Sequence, residues 1–255
     1  GSRDVPIHWG QDLRDSASMV RSACKWEYEL RYGEEVEAVI DRAVAVAMTE
    51  PRGPVYLALP REPLAEPLPP SAVNTEMRAA PSGPLRPAVA DVDAAANMLK
   101  AAKRPLLISS RGDADGRTGT AVQTLAEKCG FPVAEFWPTR NVMASDNPLH
   151  AGFETGPLLA EADVVLCVDA LVPWIIKRVD LSADCKVIQL GADPLFGRFP
   201  TRGFPVDIAL AGDPAEALAA LASALPKNTK GLDALKAKLA ADRGARMAKA
   251  EEAGT

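Results

Sequence analysis

The run Ser109-Ser110-Arg111-Gly112-Asp113-Ala114-Asp115-Gly116-Arg117-Thr118-Gly119 carries the richest concentration of chemistry in the chain. Glycine backbone and two guanidinium groups just before a helix are the parts that hold a diphosphate, because helix N–H groups and arginine forks both match phosphate oxygens. The spacing of Gly112, Gly116 and Gly119 is neither G-x-G-x-x-G nor a Walker A loop. Asp113 and Asp115 repel phosphate. Two readings therefore stand side by side, a phosphate-binding loop and a polar surface loop. Asp113-Ala114-Asp115-Gly116 matches part of a calcium loop, but the other ligands of that motif are lacking.

Two more acids follow apolar runs. Asp193 follows Lys186–Leu190 and has the chemistry to take a ribose hydroxyl, or to close an Asp-Pro turn with Pro194. Asp169 follows Val164–Val168 and completes the candidate set of Arg111, Gly112, Asp169 and Asp193. Cys24, Cys129, Cys167 and Cys185 show no C-x-x-C spacing, which disfavours zinc and redox roles. His8 and His150 are far apart, and nothing supports a metal pair. His8, Trp9 and Gln11 form a polar-aromatic cluster, read as a structural contact before a substrate contact; Trp137 and Trp174 read as packing or interface residues.

The elements that must position these groups alternate. Glu34–Met48 is a predicted helix with Val36, Val39, Ile40, Val44 and Ala47 on one face, followed by a buried strand at Val55–Leu59. Residues 63–87, rich in proline, suit an extended linker. Helices are expected at Asp91–Ala102, Thr118–Cys129 and Pro214–Leu225. Strands are expected at Pro105–Ser109, Pro132–Phe136, Val164–Val168, Lys186–Leu190 and Val206–Leu210. This order implies an α/β fold with a doubly wound parallel sheet of five to six strands, Rossmann-like, covered on both faces. In such sheets ligands bind past the carboxyl ends of the strands, where the candidate residues fall. The tail from Gly231 reads as one mobile or partner-docked helix.

Composition narrows the class. A net charge of -5 disfavours nucleic acid and anionic membranes as partners. No apolar stretch nears the roughly 20 residues of a membrane span. Cysteine usage suits a reducing, cytoplasmic setting.

Strings in a fixed order then resemble a family. Lys103-Arg104-Pro105-Leu106-Leu107-Ile108, Phe131-Pro132-Val133, Asp146-Asn147-Pro148-Leu149-His150-Ala151-Gly152, Ala162-Asp163-Val164-Val165-Leu166, Lys186–Leu190 with Ala192-Asp193-Pro194, and Gly212-Asp213 resemble the central domain of thiamine-diphosphate-dependent enzymes of the acetolactate synthase and 2-oxo acid decarboxylase type. Arg52-Gly53-Pro54-Val55-Tyr56-Leu57, and Lys25 with Tyr28, resemble the end of the pyrimidine-binding domain.

The resemblance implies residues 1–62 as the end of a partial α/β pyrimidine-binding domain, 63–87 as linker, 88–225 as central domain, and 226–255 as a connector. It implies a parent lyase or transferase acting on 2-oxo acids with thiamine diphosphate and magnesium, at least dimeric, whose cofactor ligands and activating glutamate lie outside this chain. The chain alone is then expected to be inactive, with no catalytic residue and no metal ligand of its own. Glu27, Glu29, Glu34 and Glu35 are expected on helix surfaces. Arg111-Gly112-Asp113-Ala114 and Gly212-Asp213-Pro214 fail the glycine-aspartate-glycine pattern. Some relatives hold FAD or ADP in the central domain, and Asp169 to Pro173 departs from the flavin pattern. A non-catalytic nucleotide-binding or assembly module is the alternative. Val55–Leu59 is expected to lack its preceding sheet neighbours, leaving the first segment partly disordered or edge-paired with another copy.

Overall fold

A computed structural model of the chain describes residues 15–68, 76, 78–179, 181–228 and 230–254. The chain divides at Pro84 into two compact units. His8, Trp9 and Gln11 lie outside the described residues.

The first unit is a βαβ turn of chain. Strand β1 (Trp26–Glu29) runs parallel to β2 (Val55–Ala58), with Trp26 opposite Val55. Helix α1 (Val36–Met48) connects them and is followed by a short helix, α2 (Arg61–Ala65). Lys25 Nζ donates to the carbonyls of Val46 and Thr49, satisfying the C-terminal end of α1, where a cation is favoured. Two expectations are corrected here. Glu27 and Glu29 lie on β1, not on a helix: the run Trp26-Glu27-Tyr28-Glu29 alternates at the two-residue period of a strand. β1 is also the sheet neighbour that β2 was expected to lack. On α1, Val39 and Ala43 are buried, whereas Ile40, Val44 and Met48 are exposed.

The second unit holds six parallel strands: β3 (Pro105–Arg111), β4 (Val133–Arg140), β5 (His150–Gly152), β6 (Val164–Val168), β7 (Lys186–Gly191) and β8 (Ile208–Ala211). Their order is β5-β4-β3-β6-β7-β8. The chain therefore winds outward from β3 to β5, returns beside β3 as β6, and winds outward again to β8. Successive side chains alternate between faces, as the pleat requires. Leu107, Leu166, Val168 and Ile188 face a core shared with helices α3 (Val89–Ala101), α4 (Arg117–Cys129) and α6 (Pro214–Ala224). Leu106, Ile108, Val165, Cys167 and Val187 face the opposite core, beneath Leu159 of helix α5 (Gly156–Glu161) and Leu239 of helix α7 (Leu232–Gly254).

α7 corrects the reading of the tail as mobile or docked on a partner. Leu239 is 1% exposed, Lys238 pairs with Glu161 at 3.1 Å, and Arg243 donates to the Ser145 carbonyl at 3.1 Å. The first half of α7 is thus part of this unit.

Candidate functional site

In a doubly wound sheet the crevice for a ligand opens where the strand order reverses. Here that point lies between the carboxyl ends of β3 and β6. Arg111 ends β3 and Asp169 immediately follows β6. The Arg111 Nε donates to Asp169 Oδ2 at 2.7 Å and Nη2 donates to Oδ1 at 3.0 Å, a fork across the crevice. Asp169 is held there in the left-handed backbone region, with φ of 45°. Trp137, in the irregular second half of β4, and Phe196, beyond β7, are also left-handed, with φ of 45° and 52°. Such backbone is costly for residues with side chains and gathers at functional sites. All three residues belong to the carboxyl edge. Trp137 is 62% exposed and stacks on Phe136 at 4.9 Å, so it is not a core residue, whereas Trp174 is buried against Phe204.

Gly112 does not present its amide to the crevice. The Gly112 N–H donates to the Arg140 carbonyl at 2.9 Å, and a Cβ there would meet the Asn141 carbonyl oxygen at 3.1 Å. The glycine serves close packing of the β3–α4 loop under residues 140–142. Gly119 does the same more tightly, at 2.8 Å from the Val142 oxygen.

The loop fills its own anion sites. Both carboxylate oxygens of Asp113 accept from the Thr118 N–H at 3.0 Å, occupying the α4 N-terminus. Arg117 bonds Asp115 at 3.0 Å and Asp213 at 3.2 Å. Those two carboxylates hold its guanidinium above its ordinary value, Asp115 contributing most, and Arg117 in turn holds Asp115 below its own. Asp193 lies beyond β7, and its Oδ2 accepts from the Gly197 N–H at 2.8 Å.

Arg202 was not anticipated. Its guanidinium donates to the carbonyls of Ala170 and Leu171 and to Gln189 Oε1, and lies over Phe196 and Phe204. Burial pushes it below its ordinary value, opposed by the fields of Cys167 and Asp193. It ties the loop after β6 to the loop after β7. The sequence signal was weak, one of two arginines in a run of glycines, prolines and phenylalanines.

A second unanticipated group is Glu135, wholly buried on β4. Its Oε1 accepts from Val142 N–H at 2.6 Å, and its Oε2 meets Asn141 Nδ2 and His150 Nε2, each at 3.1 Å. A buried carboxylate with three partners is satisfied rather than poised. It pins the segment that Gly112 and Gly119 pack beneath. His150 is thereby a structural partner on β5.

The Gly-Asp pairs do not fit magnesium or a thiamine diphosphate. Asp113 is spent on the helix α4 amide, and Asp213 accepts from Glu216 N–H as the α6 cap while pairing with Arg117. Among the described residues no group of three His, Cys, Asp or Glu side chains is arranged to hold a metal, and no helix is long and apolar enough to cross a membrane.

Comparison with known proteins agrees with this architecture. Residues 92–221, half of the chain, match the family model of the thiamine pyrophosphate enzyme central domain. The chain is 26% identical over 219 residues to oxalyl-CoA decarboxylase of Escherichia coli K12, covering 84% of this chain and 38% of that protein. It is 28% identical over 222 residues to benzoylformate decarboxylase of Pseudomonas aeruginosa, covering 81% and 40%. The chain thus spans about two fifths of the length of these relatives. The crystal structure of benzoylformate decarboxylase from Polynucleobacter necessarius shares the fold, with a TM-score of 0.65 at 23% identity over 80% of this chain and 39% of that one. The chain belongs to the thiamine pyrophosphate enzyme family, and its residues 92–221 are the central domain of that family.

Proposed function

We propose that this chain is the central-domain portion of a thiamine-diphosphate-dependent lyase or transferase acting on 2-oxo acids, preceded at residues 1–62 by the end of a pyrimidine-binding domain and joined to it by residues 63–87. The observation that carries the reading is the family match over residues 92–221 on a sheet wound β5-β4-β3-β6-β7-β8. The two Gly-Asp pairs offer no fit for magnesium or the diphosphate, because Asp113 is engaged by the Thr118 amide of α4 and Asp213 caps α6. In this reading the cofactor, which stabilises a carbanion next to a carbonyl, is held by other parts of an at least dimeric cytoplasmic enzyme. The central domain positions those parts and contributes no catalytic residue.

A nucleotide at the carboxyl edge is the second reading, supported by the left-handed backbone of Trp137, Asp169 and Phe196 around the switch point. ADP or FAD would enter by opening the Arg111–Asp169 fork, with Asp193 beside the ribose. Calorimetric titration of the chain with ADP, FAD, and thiamine diphosphate plus magnesium tests both readings. Tight binding of thiamine diphosphate to this chain would overturn the first. Absence of ADP and FAD binding would overturn the second and leave the edge as a structural clamp.

A further inference from the structure

The amino ends of the strands, opposite the switch-point crevice, carry a separate concavity. A cavity of about 320 Å³ lies between the starts of β3 and β4, the end of α5 and the first turns of α7. That volume falls at the lower end of small-molecule sites, which run from about 300 to 1,000 Å³. Leu106, Phe131, Leu158, Leu225, Leu235 and Leu239 supply apolar lining, Leu158 and Leu235 partly exposed and the other four buried.

The rim has the opposite character. Lys100, Lys103, Arg104, Lys230 and Lys238 border the cavity, with Glu161 as the one carboxylate among its described lining residues and the Asp163 carboxylate beside Lys103 and Arg104. Glu161 is taken by Lys238 at 3.1 Å. The other four cations have no side-chain partner among the described residues. This concentration of positive charge stands in a chain whose net charge is -5. Helix C-termini explain part of it, since α3, α4 and α6 all end here. Each such end, with that of α5, carries about half a negative charge, together about -2, and the Asp163 carboxylate adds one more, a total that four unpaired cations still exceed. The α6 end is moreover already served by Lys128, whose Nζ donates to the Ala222 carbonyl. Lys103 and Arg104 are also set rigidly: Asp163 accepts from their amides at 2.7 and 2.9 Å, so both side chains start from fixed backbone.

We propose that this cavity binds an amphipathic carboxylate, its apolar body inside and its anionic head held by Lys103, Arg104 and Lys230. At about 30 Å³ for each water-sized group, the cavity takes on the order of ten heavy atoms, the size of octanoate. A low-dielectric wall beside a cation cluster strengthens the attraction for such a head group.

Calorimetric titration of the chain with octanoate tests this, with 1-octanol and inorganic phosphate as separate arms. Octanoate is expected to saturate one site, and both other probes to bind at least about tenfold more weakly. The double variant Lys103→Glu/Arg104→Glu is expected to lose about tenfold or more in octanoate affinity. Lys230→Glu, in the turn before α7, provides a second variant should the first fail to give the wild-type far-ultraviolet dichroism. Absence of saturable octanoate binding, equal binding of either control probe, or unchanged affinity in a folded variant would each overturn the proposal. The nucleotide and thiamine titrations concern the other edge and are indifferent to these variants.

Discussion

Arg111 and Asp169, 58 residues apart in sequence, close the topological switch point of the central sheet with two hydrogen bonds of 2.7 and 3.0 Å. The fork forms because β3 and β6 are neighbours only through the reversal of strand order, which brings both carboxyl ends to one crevice. The bond is a gate in the thermodynamic sense. Any anion that takes Arg111 must compensate for the loss of Asp169.

Arg111 is half exposed, at 52%, so the pair contributes little to stability. Arg111→Ala is expected to lower unfolding free energy by about 0.2–1 kcal/mol in urea titration. A loss above about 2 kcal/mol would mean that the fork is a structural clamp in its own right.

Glu135 behaves differently, because two of its three partners, Val142 and His150, are buried with it. Glu135→Ala leaves the Val142 N–H and the His150 imidazole without an acceptor. Unsatisfied buried polar groups cost about 1–3 kcal/mol each, so a loss of about 3 kcal/mol or more is expected. Glu135→Gln keeps one acceptor, for the Val142 N–H, and turns an amide donor toward His150 Nε2, which accepts in its other tautomer, so it should lose less than half as much. Equal losses in the two variants would contradict this account.

Gly119 makes the closest approach among the glycines of the switch-point loop, and it lies in a helix where alanine is otherwise favoured. By propensity alone Gly119→Ala would stabilise α4 by about 1 kcal/mol. The Val142 carbonyl oxygen at 2.8 Å from the new Cβ reverses the sign, because overpacking costs about 1–3 kcal/mol. A raised midpoint in thermal unfolding would show that the 140–142 segment gives way without cost.

Leu239 decides whether α7 belongs to this unit. It is buried at 1% exposure, so Leu239→Ala is expected to cost about 2–5 kcal/mol. A cost below about 0.5 kcal/mol would restore the reading of the tail as free or docked elsewhere.

Burial pushes the Cys167 thiol up to about 12 and that of Cys185 up to about 11, from an ordinary 9.0. The folded state keeps protons that the unfolded chain releases, so this contribution to stability is intact below pH 9 and is lost as pH rises toward 12. Cys167→Ala should flatten the fall in stability between pH 9 and 11 relative to wild type, measured by urea titration at each pH. An unchanged slope would contradict the assigned burial effect.

Much of the fold was legible because the apolar runs of β3, β6 and β7 have no competing reading, and Gly130 and Pro214 mark a helix end and a helix start where the structure has them. β5 and α5 were not. His150-Ala151-Gly152 is too short for a period, and Gly156–Glu161 is barely more than one turn. The alternation of β1 was masked by its two glutamates. At the candidate site, sequence order placed Arg111 and Asp169 at strand ends but gave no sign that they meet. That contact depends on which strands are neighbours. The filled state of the loop was half visible, since Asp113 and Asp115 were read as hostile to phosphate. Glu135 was invisible because a lone acid in a strand signals exposure until its partners are known.

The central claim is tested most directly on the full gene product that carries this chain, stripped of cofactor and assayed for carbon dioxide release or carboligation with 2-oxo acids including pyruvate and benzoylformate. The account predicts turnover of at least one 2-oxo acid that requires thiamine diphosphate and magnesium together and is lost when either is withheld. Turnover that persists without thiamine diphosphate, or a folded protein that turns over no 2-oxo acid with both supplied, would contradict it.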